Sequence, residues 1–88
     1  MIRDLLNKLP AQVLRQVRNY RADYTRWKKY AESDDEGYAN IGRRYIDETR
    51  ERMGGYALGL MHAGLITERE RRYLFVYMTI PISQKEEA

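Results

Sequence analysis

The chain has 88 residues and no cysteine, so it makes one small domain with neither a disulfide staple nor a thiolate metal site, which fits a reducing cytosol. Its 16 basic and 13 acidic residues leave a net charge of +3, and twelve of the basic residues are arginine, a side chain suited to phosphate, carboxylate and planar groups. No apolar run approaches the ~18 residues of a membrane span, and residues 1–10 carry an acid and no signal-peptide core, so neither membrane insertion nor secretion is expected.

The pattern is that of an all-α protein: two long helices, a shorter C-terminal helix and a short N-terminal helical segment. Residues 1–81 make the domain and residues 82–88 a flexible tail. Ile2, Leu5, Leu6 and Leu9 fall on one helical face, but two turns are unstable alone in water and must dock on the remainder. Pro10 suits the start of the next helix, expected over residues 10–32. There Val13, Val17, Tyr20, Tyr24, Trp27 and Ala31 alternate spacings of four and three, a heptad seam. Arg15, Arg18, Arg26 and Lys29 lie on the outer side, with Arg21 and Lys28 on one flank. This segment holds six basic and two acidic residues.

Ser33 followed by Glu36 reads as a capping box for a second helix over residues 35–63. Its stripe is Tyr38, Ile41, Tyr45, Thr49, Met53, Tyr56 and Leu60, and Tyr38, Ile41, Tyr45 and Met53 are expected to pack on the first seam. Gly54-Gly55 costs about 2 kcal/mol against two alanines, which predicts a kink or a close backbone contact. Gly64 suits a left-handed helix end, with Leu65 as the apolar contact beyond it. Thr67 and Glu70 form a second capping box. The third helix, residues 68–79, places Tyr73, Leu74, Tyr77 and Ile80 on one side before Pro81 stops it.

Candidate chemistry is sparse. His62 is the sole histidine and has no cysteine to join it. Glu32, Asp34, Asp35 and Glu36 lack the alternation of a calcium loop and read as helix-capping acids. Asp47, Glu48 and Glu51 read as parts of an i,i+4 lattice with Arg43, Arg44 and Arg52 rather than as acid–base catalysts. A helix-turn-helix across Gly64 fails on Glu70, which stands where a reading helix buries an apolar residue, although Arg69, Arg71 and Arg72 argue the other way. The chain is therefore not expected to be an enzyme or to hold a cofactor or metal.

Eight tyrosines are the least ordinary feature. Tyrosine prefers half-wet surfaces, at the edge of a core or in an interface where Tyr, Trp and Arg act as anchors. Stacking on single-stranded nucleic acid is a further use of such rings. The candidate partner-binding residues are Arg18, Arg26, Lys29 and Tyr30 on the first long helix and Arg69, Arg72 and Tyr73 on the last.

From Gly55-Tyr56-Ala57-Leu58-Gly59-Leu60 through Met61-His62-Ala63-Gly64-Leu65-Ile66 to Thr67-Glu68-Arg69-Glu70, the chain resembles small helical proteins of phages and mobile elements. That class includes anti-CRISPR-type inhibitors. The resemblance implies a way of life in a bacterial host rather than a target, and it carries over no binding residue. The expected location is the host cytoplasm, and the expected partner is a protein such as a host nuclease or defence complex, whose charged grooves suit a Tyr- and Arg-rich surface. The expected function is a non-catalytic module that binds and inhibits or modulates a host protein, with a homodimer as its expected assembly. The alternative is a regulator that binds nucleic acid by setting the arginines of its first long helix on phosphates.

Overall fold

Short polar side chains and one glycine set the turns on either side of the longest helix. The computed structural model describes residues 2–83, which form α1 (Ile2–Lys8), α2 (Ala11–Ala31), α3 (Glu36–His62) and α4 (Glu68–Thr79). The architecture is all-α, with two long helices and a shorter C-terminal one. The N-cap of α3 is Asp35, whose carboxylate accepts the Tyr38 N–H at 3.1 Å; Ser33 lies two residues earlier. The Ser33 hydroxyl instead accepts the Asp35 N–H, which organises the turn and corrects the expected capping box. At the other end of α3, Gly64 has φ +79°, its N–H reaches the Met61 carbonyl, and the Leu65 N–H reaches the Leu60 carbonyl. Those are the two bonds of a Schellman end. Leu65 itself is exposed, and its neighbour Ile66 enters the core in its place. At the start of α4 both bonds of the Thr67–Glu70 capping box form, at 3.1 and 2.8 Å.

The helix α3 runs through Gly54-Gly55 without a break. Met53 and Ala57, on either side of the pair, have no exposed surface, and this packing outweighs the propensity cost of the glycines. A methyl group at Gly54 would rest at 3.7 Å from Phe75, and one at Gly55 would meet open space. The close backbone contact lies at Gly42 instead. A Cβ there would collide with the Ala31 nitrogen and stand 2.7 Å from the Trp27 carbonyl oxygen. Helices α2 and α3 thus touch backbone to backbone beside the turn that joins them.

That contact turns the N-terminal half of α3. Small Ala39 and Gly42 face α2, followed down the helix by Thr49, Met53, Ala57 and Leu60. Tyr38 and Ile41 do not pack in the seam as expected; they are 55% and 42% exposed. On α4 the buried residues are Leu74 and Met78, while Tyr73 and Ile80 stand at or near the surface. Leucine and methionine bring no hydroxyl into the core, whereas tyrosine needs a polar outlet. The core draws on every helix: Leu5 and Leu9 with Val17, Tyr24, Met53, Ala57, Leu60, Ile66, Leu74 and Met78. Helix α1 seats on α4, where Lys8 pairs with Glu70 at 2.6 Å.

Arg21 is buried rather than flanking. Its Nε donates to the Ile80 carbonyl at 2.8 Å, its Nη1 to the Tyr77 hydroxyl at 3.2 Å, and the guanidinium lies 4.5 Å from the Tyr77 ring centre. Helix α4 has no basic residue in its own last turn, so Arg21 supplies from α2 the positive charge that complements its C-terminal end. The Thr25 hydroxyl donates to the Arg21 carbonyl and accepts the Ile82 N–H at 3.0 Å. Of the expected tail, residues 84–88 lie outside the described residues.

Candidate interaction surface

Three aromatic pairs cross from α2 to α3. Tyr20 meets Tyr56 at 5.5 Å between ring centres, Trp27 stacks on Tyr45 at 4.6 Å, and Tyr30 meets Tyr38 edge to face at 5.6 Å. Each residue advances about 100° and 1.5 Å along a helix, so the pairs form one row that spans roughly 15 Å of α2 and roughly 27 Å of α3. Trp27 and Tyr30 lie on the flank of α2 opposite Arg21 and Thr25, which meet the C-terminal segment. Tyr38, Tyr45 and Tyr56 lie on the flank of α3 opposite Gly54, which faces Phe75 of α4. The row therefore runs along the side of the helical hairpin that α4 does not cover.

The row becomes wetter toward the turn. Tyr56 is half-buried, and burial together with Tyr20 pushes its hydroxyl pKa above the ordinary tyrosine value. Tyr45 and Tyr30 are partly open, and Tyr38 and Ile41 are well exposed. Trp27 is engaged by Tyr45, by the edge of Tyr30 at 5.4 Å, and by the Arg26 guanidinium at 4.8 Å. Asp23 holds Arg26 in place at 3.0 Å. Lys29, Tyr30, Ser33 and Tyr38 line a groove of about 290 Å³ at the end of the row.

The seven candidate partner-binding residues fall into three places. Arg26, Lys29 and Tyr30 gather at the aromatic row. Arg18 lies two to three turns nearer the start of α2, in a groove of about 320 Å³ shared with Arg21, Tyr77 and Ile82. Arg69 and Tyr73 line a groove of about 440 Å³ between α1 and α4 with Asp4, Lys8 and Glu70. Arg72 lies along the same helix, 3.6 Å from Glu68. Tyr45 meets Trp27 as the seam predicts, whereas Tyr38 and Ile41, expected in the same seam, belong to the exposed aromatic surface. The readable signal was the small pair Ala39 and Gly42 beside them, which marks the face that approaches α2.

The remaining polar clusters hold structure. Glu70 bonds Lys8 and the Thr67 N–H, in that order of effect, and its carboxyl pKa drops below the ordinary glutamate value. Glu68 is lowered chiefly by its hydrogen bond from Arg71. Among the described residues, none of the pairs Arg43–Asp47, Arg44–Glu48 and Glu48–Arg52 closes as an ion pair, so the expected lattice on α3 is absent. Arg43 bonds Asn40 instead, and exposed charges on long side chains gain little from pairing. Among the described residues no three His, Cys, Asp or Glu side chains gather as a metal site, and no helix is long and apolar enough to cross a membrane.

Comparison with protein-family models, with curated proteins and with solved structures finds no match.

Proposed function

We propose that this chain is a non-catalytic protein-interaction module that works by seating a partner protein on the aromatic flank of its α2–α3 hairpin. The observation that carries this reading is the cross-helix row that ends on exposed Tyr38 and Ile41, with Arg26, Lys29 and Tyr30 at its side. Rings fixed against one another lose little entropy on binding, and Tyr, Trp and Arg are the usual anchors of interfaces. A protein fits better than a nucleic acid for two reasons. Trp27 is already engaged by Tyr45 and Arg26, which leaves it poorly placed to stack on a base. The acids Asp34, Asp35 and Glu36 stand exposed at the same turn and repel phosphate.

Inhibition or modulation of a host protein, such as a nucleic-acid-handling defence complex, is the biological role we attach to this surface. It is supported by the resemblance of residues 55–70 to proteins of phages and mobile elements. The test is affinity capture from a bacterial lysate with the native chain and with a Tyr38→Ala/Ile41→Ala variant of unchanged helicity. A protein retained by the native chain and lost by the variant supports the reading. Equal capture by both, or duplex or single-stranded nucleic acid shifted on a gel at physiological salt, overturns it.

Self-association belongs to a different surface. Tyr73, Val76 and Ile80 form an exposed stripe along α4, with Val76 at 55% exposure. Pairing of two copies on this stripe is the assembly we expect, because a two-fold axis lets one patch meet its own copy.

A further inference from the structure

We infer that residues 80–83 form a strap that undocks from α2 as a unit, with Arg21 and Thr25 as its latch. Polar contacts from α2 tie the strap down. Arg21 Nε donates to the Ile80 carbonyl at 2.8 Å, Arg21 Nη2 lies 3.5 Å from the Pro81 carbonyl, and the Thr25 hydroxyl accepts the Ile82 N–H at 3.0 Å. The apolar side chains of the strap add little: Ile80 is 48% exposed, Pro81 is exposed and Ile82 is only half-buried. By contrast Met78 and Leu74, about one and two turns before Ile82, have no exposed surface. Undocking the strap therefore exposes little apolar area, while unfolding α4 exposes the core. Segments with few buried apolar contacts open at free energies well below that of global unfolding.

The hinge is in the sequence. Ile80 has left the helix, with ψ 117°, and Pro81 bars the helix from resuming. The strap borders the groove that Arg18, Arg21, Tyr77 and Ile82 line, so its departure widens a basic, tyrosine-walled cleft. This cleft lies on the other side of α2 from the aromatic row and does not depend on the partner site proposed above.

Native-state hydrogen exchange of the full chain, followed by NMR at low denaturant, tests the strap. The Ile82 amide is expected to exchange faster than the amides of Leu74 and Met78, with little dependence on denaturant. Thr25→Val removes the acceptor for that amide and should speed its exchange by roughly tenfold, as the loss of one hydrogen bond does; Leu74 and Met78 lose the same stabilisation and should remain far slower than Ile82. Arg21→Gln should act on Ile82 in the same direction, though it also removes a buried contact to Tyr77. If the Ile82 amide exchanges only with global unfolding, at the rate of Leu74, the strap is an integral part of the fold and the inference fails. Unchanged Ile82 exchange in Thr25→Val overturns it equally.

Discussion

The Trp27 ring stacks on Tyr45 at 4.6 Å and 24° because Gly42, a turn earlier on α3, brings the two helices into backbone contact. A side chain at Gly42 would hold the backbones apart and carry Tyr45 away with them. Gly42→Ala should therefore destabilise the fold by about 1–3 kcal/mol, the usual cost of forcing atoms into a packed site. The obstacle is main chain, so no side-chain rotation relieves it. Thermal unfolding measures the loss, and Trp27 fluorescence should change with it. An unaltered melting temperature would mean that the helices do not meet at Gly42.

Gly55→Ala should do the opposite. A Cβ at this position meets nothing within 4 Å, so the variant gains helix propensity without a clash. The expected gain is up to about 1 kcal/mol. A loss of stability would show that α3 bends at the glycine pair in solution.

Gly64→Ala should cost on the order of 1 kcal/mol, because the residue sits at φ +79° with open space around it. The penalty is conformational rather than steric. Asn, which tolerates the left-handed region better than Ala, should recover part of it in the same unfolding assay.

Acidification should loosen α1 from α4. The carboxyl of Glu70 titrates below its ordinary range because Lys8 and the Thr67 N–H bond its charged form. A depressed folded value means that the unfolded chain binds the proton more readily. The stabilisation is then complete above the ordinary glutamate range and fades as pH falls through the depressed value. The backbone signals of Lys8 and Leu9 should shift along the Glu70 titration, and Lys8→Met should abolish that coupling. Signals that move at the ordinary glutamate pKa would contradict the contact.

Charge reversal at Arg26 and Lys29 should leave helicity unchanged, since exposed substitutions usually move stability by less than about 0.5 kcal/mol. It should weaken partner capture at the aromatic flank. Reversal at Arg18, which lies two to three turns nearer the start of α2 and in a separate groove, should leave that capture intact. Equal effects at the two sites would place the interface elsewhere. Light scattering at micromolar concentration tests the α4 stripe: a dimer mass in the native chain and a monomer mass in Val76→Glu is the expected pair of results.

The helices and most of their ends are legible from residue order alone. Thr67–Glu70, Gly64 and Pro81 act through chain neighbours, so their chemistry is local and legible without a fold. Val17, Tyr24, Met53 and Leu74 were readable as core from helical spacing alone. Which side of α3 faces α2 emerges only when the helices pack, since Tyr38, Ile41 and Tyr45 match the apolar period as well as Ala39 and Gly42 do. Periodicity records where apolar residues recur and not how closely a neighbouring helix approaches. Closeness belongs to the pair of helices, and it put the small residues inside and the rings on the flank. Arg21 shows the same limit. Its position on α2 predicts a flanking charge, but α4 ends beside it with no cation of its own and binds it through carbonyls nearly 60 residues away.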